Sequence, residues 1–207
     1  EITFTLHFMV EELDAGPVLL QRSLSLNSDT YLSDVHEFAR EEVPELFVEA
    51  VDGLERGDLS ARPQSEERER ALRCYPRKHV DSRIDWSRSA DRIARLVRAS
   101  ADPLFGAYTF LDGRTLRVWR ARAESPAADT LGTPGQVAER RPGSGEVAVV
   151  TGDGFLVLEE VSFDDGERRR ASDVLASNRD RLGQATQEAV RELRDRVTEL
   201  ERRLGEQ

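Results

Sequence analysis

A single cysteine, Cys74, and a single lysine, Lys78, stand among 207 residues. One cysteine excludes an internal disulfide and any metal cluster built on thiolates. The three histidines, His7, His36 and His79, show no metal-ligand spacing, so no metal is expected. Missing too is any apolar run near the roughly 20 residues that span a bilayer. No charged segment followed by an apolar core opens the chain, as it would in a signal peptide. A cytoplasmic protein without membrane contact is the expectation. The chain starts at Glu1 and enters a strand-like run within two residues, which reads as the middle of a longer protein. Positive charge is outnumbered, 30 basic groups against 40 acidic ones for a formal charge of −10, which weighs against a general nucleic-acid surface.

What is present is enough for a sizeable core: 38% hydrophobic residues over a length that suits one or two domains. Residues 3–9 and 17–26 read as two strands rich in β-formers, joined by the acidic loop V-E-E-L-D-A-G. After the helix-start signal N-S-D-T, Val35, Phe38, Ala39, Val43, Leu46, Phe47, Ala50, Val51 and Leu54 recur at spacings of three and four. That spacing predicts one helix with a single apolar face, a place for a bend at Pro44, and an end at Gly57. Residues 60–83 are polar, carry two prolines and read as a linker. Beyond it, Ser87 or Ser89 caps a helix with Ile93, Leu96 and Val97 on one face. Asp112-Gly113 predicts a hairpin turn between strands 108–111 and 116–121. Further short strands are expected at 135–138, 147–151 and 155–163, and a short helix at 172–178. Short strands separated by glycine-rich turns suggest a small barrel. In the tail, Val190, Leu193, Val197, Leu200 and Leu204 make a heptad seam, suited either to docking on its own domain or to pairing with a second copy.

Four stretches in order, L-H-F-M-V-E-E-L-D-A-G-P-V-L-L-Q, D-T-Y-L-S-D-V, R-I-D-W-S-R-S-A-D-R-I-A-R-L-V-R-A and G-A-Y-T-F-L-D-G-R-T-L-R-V-W-R-A, resemble the formyltransferases that use 10-formyltetrahydrofolate. T-G-D-G-F-L-V-L and A-S-D-V-L-A-S-N-R-D-R-L-G extend the resemblance to about Gly183. It implies an α/β chain in four parts. Residues 1–59 are the C-terminal portion of a Rossmann-like catalytic domain, 60–83 a linker, 84–183 an oligonucleotide-binding-type barrel, and 184–207 a helix with coiled-coil character. It also implies attack by a primary amine on the formyl carbon of the folate, through a tetrahedral intermediate. Family catalysis uses an Asn-x-His-x-Ser segment and an aspartate in Leu-Asp-x-Gly. Asp14 matches that aspartate, whereas the Asn-x-His segment does not occur in this sequence. A fragment of this kind is expected to be inactive alone.

Each candidate residue also has a plainer reading. Asp14 is either the catalytic aspartate or a turn former bonding its own backbone; the resemblance favours the first. With Glu12, Leu13 and Gly16 it would border the folate pterin. Glu11 and Glu12 are otherwise solvated loop charges, and His7 a packed or hydrogen-bonded strand residue. Asp85 and Trp86 are expected to cap and anchor the second domain's first helix, Trp119 to lie in the core, and Arg168, Arg169 and Arg170 to form a solvated loop. The acceptor is a nucleotide-linked amino sugar or the initiator methionyl-tRNA; the linker motif C-Y-P-R-K-H-V-D-S-R-I-D-W leans to the small amine. A non-enzymatic module of barrel and coiled coil is the rival from another class.

Overall fold

The computed structural model describes residues 1–64, 74–125, 131–164 and 166–183, and in the tail residues 190, 193, 194 and 197. It divides into two compact units, Glu1–Arg77 and Lys78–Gln207. Among the described residues no helix is long and apolar enough to cross a membrane.

In the first unit, β1 (Ile2–His7) and β2 (Val18–Leu24) pair antiparallel, with Leu6 opposite Leu20 and a register irregularity between Leu6 and His7. Helix α1 (Leu32–Arg56) packs on this hairpin, and the Phe4 and Phe38 rings lie 5.9 Å apart. Its first turn is held by Asp34, whose carboxylate accepts the Tyr31 amide at 2.8 Å. Its last turn closes on Gly57 in the left-handed conformation (φ 73°), which a residue without Cβ adopts at little cost. The helix continues through Pro44, where the ring withholds one amide donor. The one helix that the spacing predicts is present, but its apolar residues are not all covered. Leu46 and Ala50 are buried, but Phe47, Val48, Val51 and Leu54 are 41–62% exposed. Amphipathic spacing identifies an apolar face; a two-stranded sheet is too narrow to cover it.

The second unit opens with a 3-10 turn (His79–Ser82), followed by α2 (Ala90–Ser100) with Ser89 at its N-cap. Six strands follow: β3 (Ala107–Leu111), β4 (Arg114–Glu124), β5 (Val137–Arg141), β6 (Glu146–Val150), β7 (Phe155–Phe163) and β8 (Arg169–Arg170); α3 (Ala171–Val174) comes last. The sheet order is β3-β4-β7-β6-β5, antiparallel throughout. Asp112 (φ 49°) and Gly113 (φ 75°) both take the left-handed conformation that a two-residue turn between twisted strands requires. Ile93 and Val97 of α2 are buried with Leu116, Val118, Leu156, Leu158 and Val161 in one core. Alternate residues of β4 (Leu116, Val118) and β7 (Leu156, Leu158) supply that face, and the three- and four-residue helical spacing of Ala90, Ile93, Ala94 and Val97 on α2 covers it.

Two further expectations are corrected here. Arg168 to Arg170 are exposed, but Arg169–Arg170 form a short strand, β8, rather than a loop. Strand β6 pairs with β7 from Phe155 to Leu158, leaving Glu160 and Val161 open on that edge, and Arg169–Arg170 fill it. The Arg168 guanidinium lies 3.7 Å over the Trp119 ring and grips both oxygens of Asp102, at 2.7 and 2.9 Å. Trp119 is therefore half-buried under an arginine rather than in the core, and its indole N–H donates to Ser162 Oγ at 2.9 Å. In the tail, Val190, Leu193 and Val197 are helical and exposed; Leu200 and Leu204 lie outside the described residues.

The Arg168 hydrogen bonds hold the Asp102 carboxyl below the usual carboxylate range. A depressed folded-state pKa gives stability that is present above the unfolded value of about 3.9 and is lost as pH falls through the folded one. The pair is half-exposed, so its contribution is below about 1 kcal/mol. In urea titrations Asp102→Asn should lower the second unit's midpoint slightly near pH 7, and the difference should vanish well below pH ~4.

Candidate active site

Residues 8–17 leave β1, form a loop and return into β2. Its neck is closed by the Phe8 amide donating to the Pro17 carbonyl at 3.0 Å. The Phe8 carbonyl is in turn 2.9 Å from His7 Nδ1. Gly16 is buried against this neck: a Cβ there would sit 1.6 Å from the Phe8 oxygen and 3.2 Å from His7 Nδ1. Only glycine fits such an approach of backbone to backbone. The loop is therefore drawn in at Gly16 and pushed out elsewhere. Met9 and Leu13 are 94% and 88% exposed, and Glu11, Glu12 and Asp14 point to solvent.

Asp14 stands at φ 56°, one of three non-glycine residues with positive φ among the described residues. Aspartate tolerates this region better than most residues, and the conformation turns the chain sharply into Ala15-Gly16. Its carboxylate is 83% exposed and lies 3.8 Å from His7 Nε2, a distance for charge attraction and too long for a hydrogen bond. The structure thus brings together Asp14, Gly16 and His7, and places the outward-facing Glu12 and Leu13 on the rim. With an accessible acceptor-only carboxylate, the loop can take up a proton, orient an imidazole or ammonium group, and offer main-chain polar groups beside exposed apolar side chains.

One contributor escaped sequence reasoning. Arg62 exchanges both main-chain hydrogen bonds with Val18, at 2.8 and 2.9 Å, so the segment after α1 returns antiparallel to β2. Two residues on, Gln64 Nε2 donates to the Asp14 carbonyl at 2.8 Å and to the Gly16 carbonyl at 2.7 Å. Its one sequence signal is an amide side chain placed just after an Arg-Pro step in an otherwise charged stretch.

The remaining candidates are structural or lie elsewhere. In the second unit the Asp85 carboxylate accepts from the Ser87 hydroxyl (2.6 Å), the Ser87 amide (3.0 Å) and Arg88 Nε (3.1 Å), bonds that lower its pKa, the Ser87 hydroxyl foremost. The Trp86 indole is buried and donates to Thr109 Oγ1 at 2.9 Å. Both border a hollow of about 520 Å³ with Arg83 and Arg181. His79 stacks on Tyr108 with ring centres 4.6 Å apart, and His36 is exposed on α1. Among the described residues no three His, Cys, Asp or Glu side chains form a metal-binding group.

Residues 77–179 match the family described as formyl transferase, C-terminal domain. The chain belongs to the formyltransferase family. It is 35% identical over 181 residues to the methionyl-tRNA formyltransferase of Methylobacillus flagellatus, covering 86% of this chain and 55% of that protein. With the methionyl-tRNA formyltransferase of Citrifermentans bemidjiense the identity is 36% over 166 residues, 79% of this chain and 49% of the relative. The chain thus spans about half the length of these relatives. Among solved structures it is similar to HypX from Aquifex aeolicus in complex with tetrahydrofolic acid, with a TM-score of 0.59 and 26% identity over 84% of this chain and 30% of that one.

The close approach at Gly16 can be tested directly. Gly16→Ala should open the loop neck and destabilise the first unit by about 1–3 kcal/mol, the range for forced overpacking. Amide exchange would read this as faster loss of the Phe8 proton, with the second unit's core amides unchanged.

Proposed function

We propose that this chain supplies the Asp14 loop and the second unit of an enzyme that moves a formyl group from 10-formyltetrahydrofolate to a primary amine. The observation that carries this reading is the accessible Asp14 carboxylate, on a loop closed by a glycine that no other residue can replace, in a chain of the formyltransferase family. The loop fits a folate: exposed Leu13 and half-exposed Phe8 offer apolar surface to a flat heteroaromatic, and main-chain groups of Glu12 to Gly16 offer polar edges. Bound there, the folate supplies an electrophilic formyl carbon. Asp14 takes the proton that the amine nitrogen loses as it attacks the formyl carbon, either directly or through water and a histidine; the tetrahedral intermediate then collapses as the bond from that carbon to N10 breaks, and N10 gains a proton as tetrahydrofolate leaves. The Asn-x-His-x-Ser residues implied by the resemblance do not occur in this sequence, so turnover needs groups from outside it.

In this reading residues 1–59 are the C-terminal portion of a Rossmann-like catalytic domain, 60–83 the linker, 84–183 an oligonucleotide-binding-type barrel, and 184–207 a helix with coiled-coil character through which two copies associate. The antiparallel order β3-β4-β7-β6-β5 and the two compact units support that scheme. A reducing cytoplasm suits a chain with one exposed cysteine. Two acceptors stand. The linker motif supports a nucleotide-linked amino sugar, and the names of the relatives at 35% and 36% identity support initiator methionyl-tRNA.

The test uses the complete natural polypeptide that carries this sequence. With one of the two amines it should convert 10-formyltetrahydrofolate to tetrahydrofolate, and Asp14→Asn should lower kcat by about 100-fold or more. Unchanged turnover in that variant would remove Asp14 from the chemistry, and no turnover with either amine would contradict the acceptor assignment.

A further inference from the structure

Gln64 lies 50 residues beyond Asp14 in sequence, on the polar segment after α1. Val18 and Arg62 form a doubly hydrogen-bonded antiparallel pair, and stepping two residues along each strand brings Gly16 opposite Gln64. At that next position of the ladder the Gln64 side chain reaches across, and its NH₂ group spends both hydrogens on the loop, one on the carbonyl of Asp14 and one on the carbonyl of Gly16. These two carbonyls bracket the Ala15-Gly16 step that follows directly on Asp14, which stands at positive φ. A primary amide is suited to this place. It has two donors fixed in one plane; a carboxylate has none, and a lysine would bring a charge without the fork.

We infer that Gln64 is a positioning residue for Asp14: by tying the carbonyl of Asp14 itself to that of Gly16, it fixes the backbone from which the carboxylate projects and so holds that carboxylate in one direction. This rests on the assignment of Asp14 to formyl transfer. Three features then fix the loop from three sides. They are the Phe8–Pro17 neck, the close approach of Gly16, and the Gln64 fork, of which only the last comes from outside the hairpin.

Two variants test it in the complete polypeptide. Gln64→Glu keeps the shape and loses both donors when ionised; Gln64→Leu loses the polar group altogether. Each should speed exchange of the Phe8 amide about tenfold, the scale of two neutral hydrogen bonds, while core amides such as those of β7 are unaffected. Each should also lower kcat about tenfold. Because Gln64 acts only through Asp14, the double variant with Asp14→Asn should turn over no more slowly than Asp14→Asn alone. A residue needed merely for folding would lower the double variant further. Unchanged Phe8 exchange in both variants, or additive losses of kcat, would overturn the inference. If the unaltered polypeptide transfers no formyl group, the functional reading fails and the exchange result still decides whether Gln64 holds the loop.

Discussion

The contact between the Gly16 backbone and the Phe8 carbonyl is the constraint on which the candidate site depends. It leaves no room for a side chain, and so it fixes where the loop of residues 8–17 turns inward. Everything between must then bulge outward. This explains why a ten-residue loop beginning in an apolar strand exposes Met9 and Leu13, and why the Asp14 carboxylate stands in solvent with His7 as its neighbour at 3.8 Å. The glycine and the aspartate are two parts of one device: the first sets the path and the second uses it.

Around that device the two units are stabilised in different ways. The second unit has a continuous core in which Val97, Leu116, Leu156, Leu158 and Val161 are fully buried, and its surface charges are tied into pairs such as Arg141 with Glu124 and Arg168 with Asp102. Among the described residues the first has few deeply buried side chains, with Val18, Leu46 and Ala50 its buried apolar residues. Its apolar surface is exposed on α1 and on the loop rim.

Local patterns carried much of this into the sequence. Asp112-Gly113, Gly57 and the apolar run opening 155–163 each encode a backbone conformation in a few adjacent residues, and each stands where the pattern puts it. Asp14 was legible only through a family resemblance, since Leu-Asp-Ala-Gly by itself is an ordinary turn. What escaped were contacts between distant residues with no periodicity to announce them. Gln64 reaches the Asp14 loop across 48 to 50 residues, and Arg168 covers Trp119 and binds Asp102 from 66 residues away. A run of arginines beside acids reads as solvated because its nearest charges in sequence are not its partners in space. The exposure along α1 was not legible for a related reason: periodicity tells which side of a helix is apolar and is silent on what covers it.

The central claim is that the loop of residues 8–17 is the folate side of a formyl-transfer site. A titration of tetrahydrofolate into the isotopically labelled complete polypeptide, followed by amide NMR, addresses it most directly. The account predicts saturable shifts concentrated at residues 8–17 and at Gln64, with the second unit's core strands unmoved. Saturable binding whose shifts fall elsewhere and leave Asp14, Gly16 and Gln64 unchanged would contradict it.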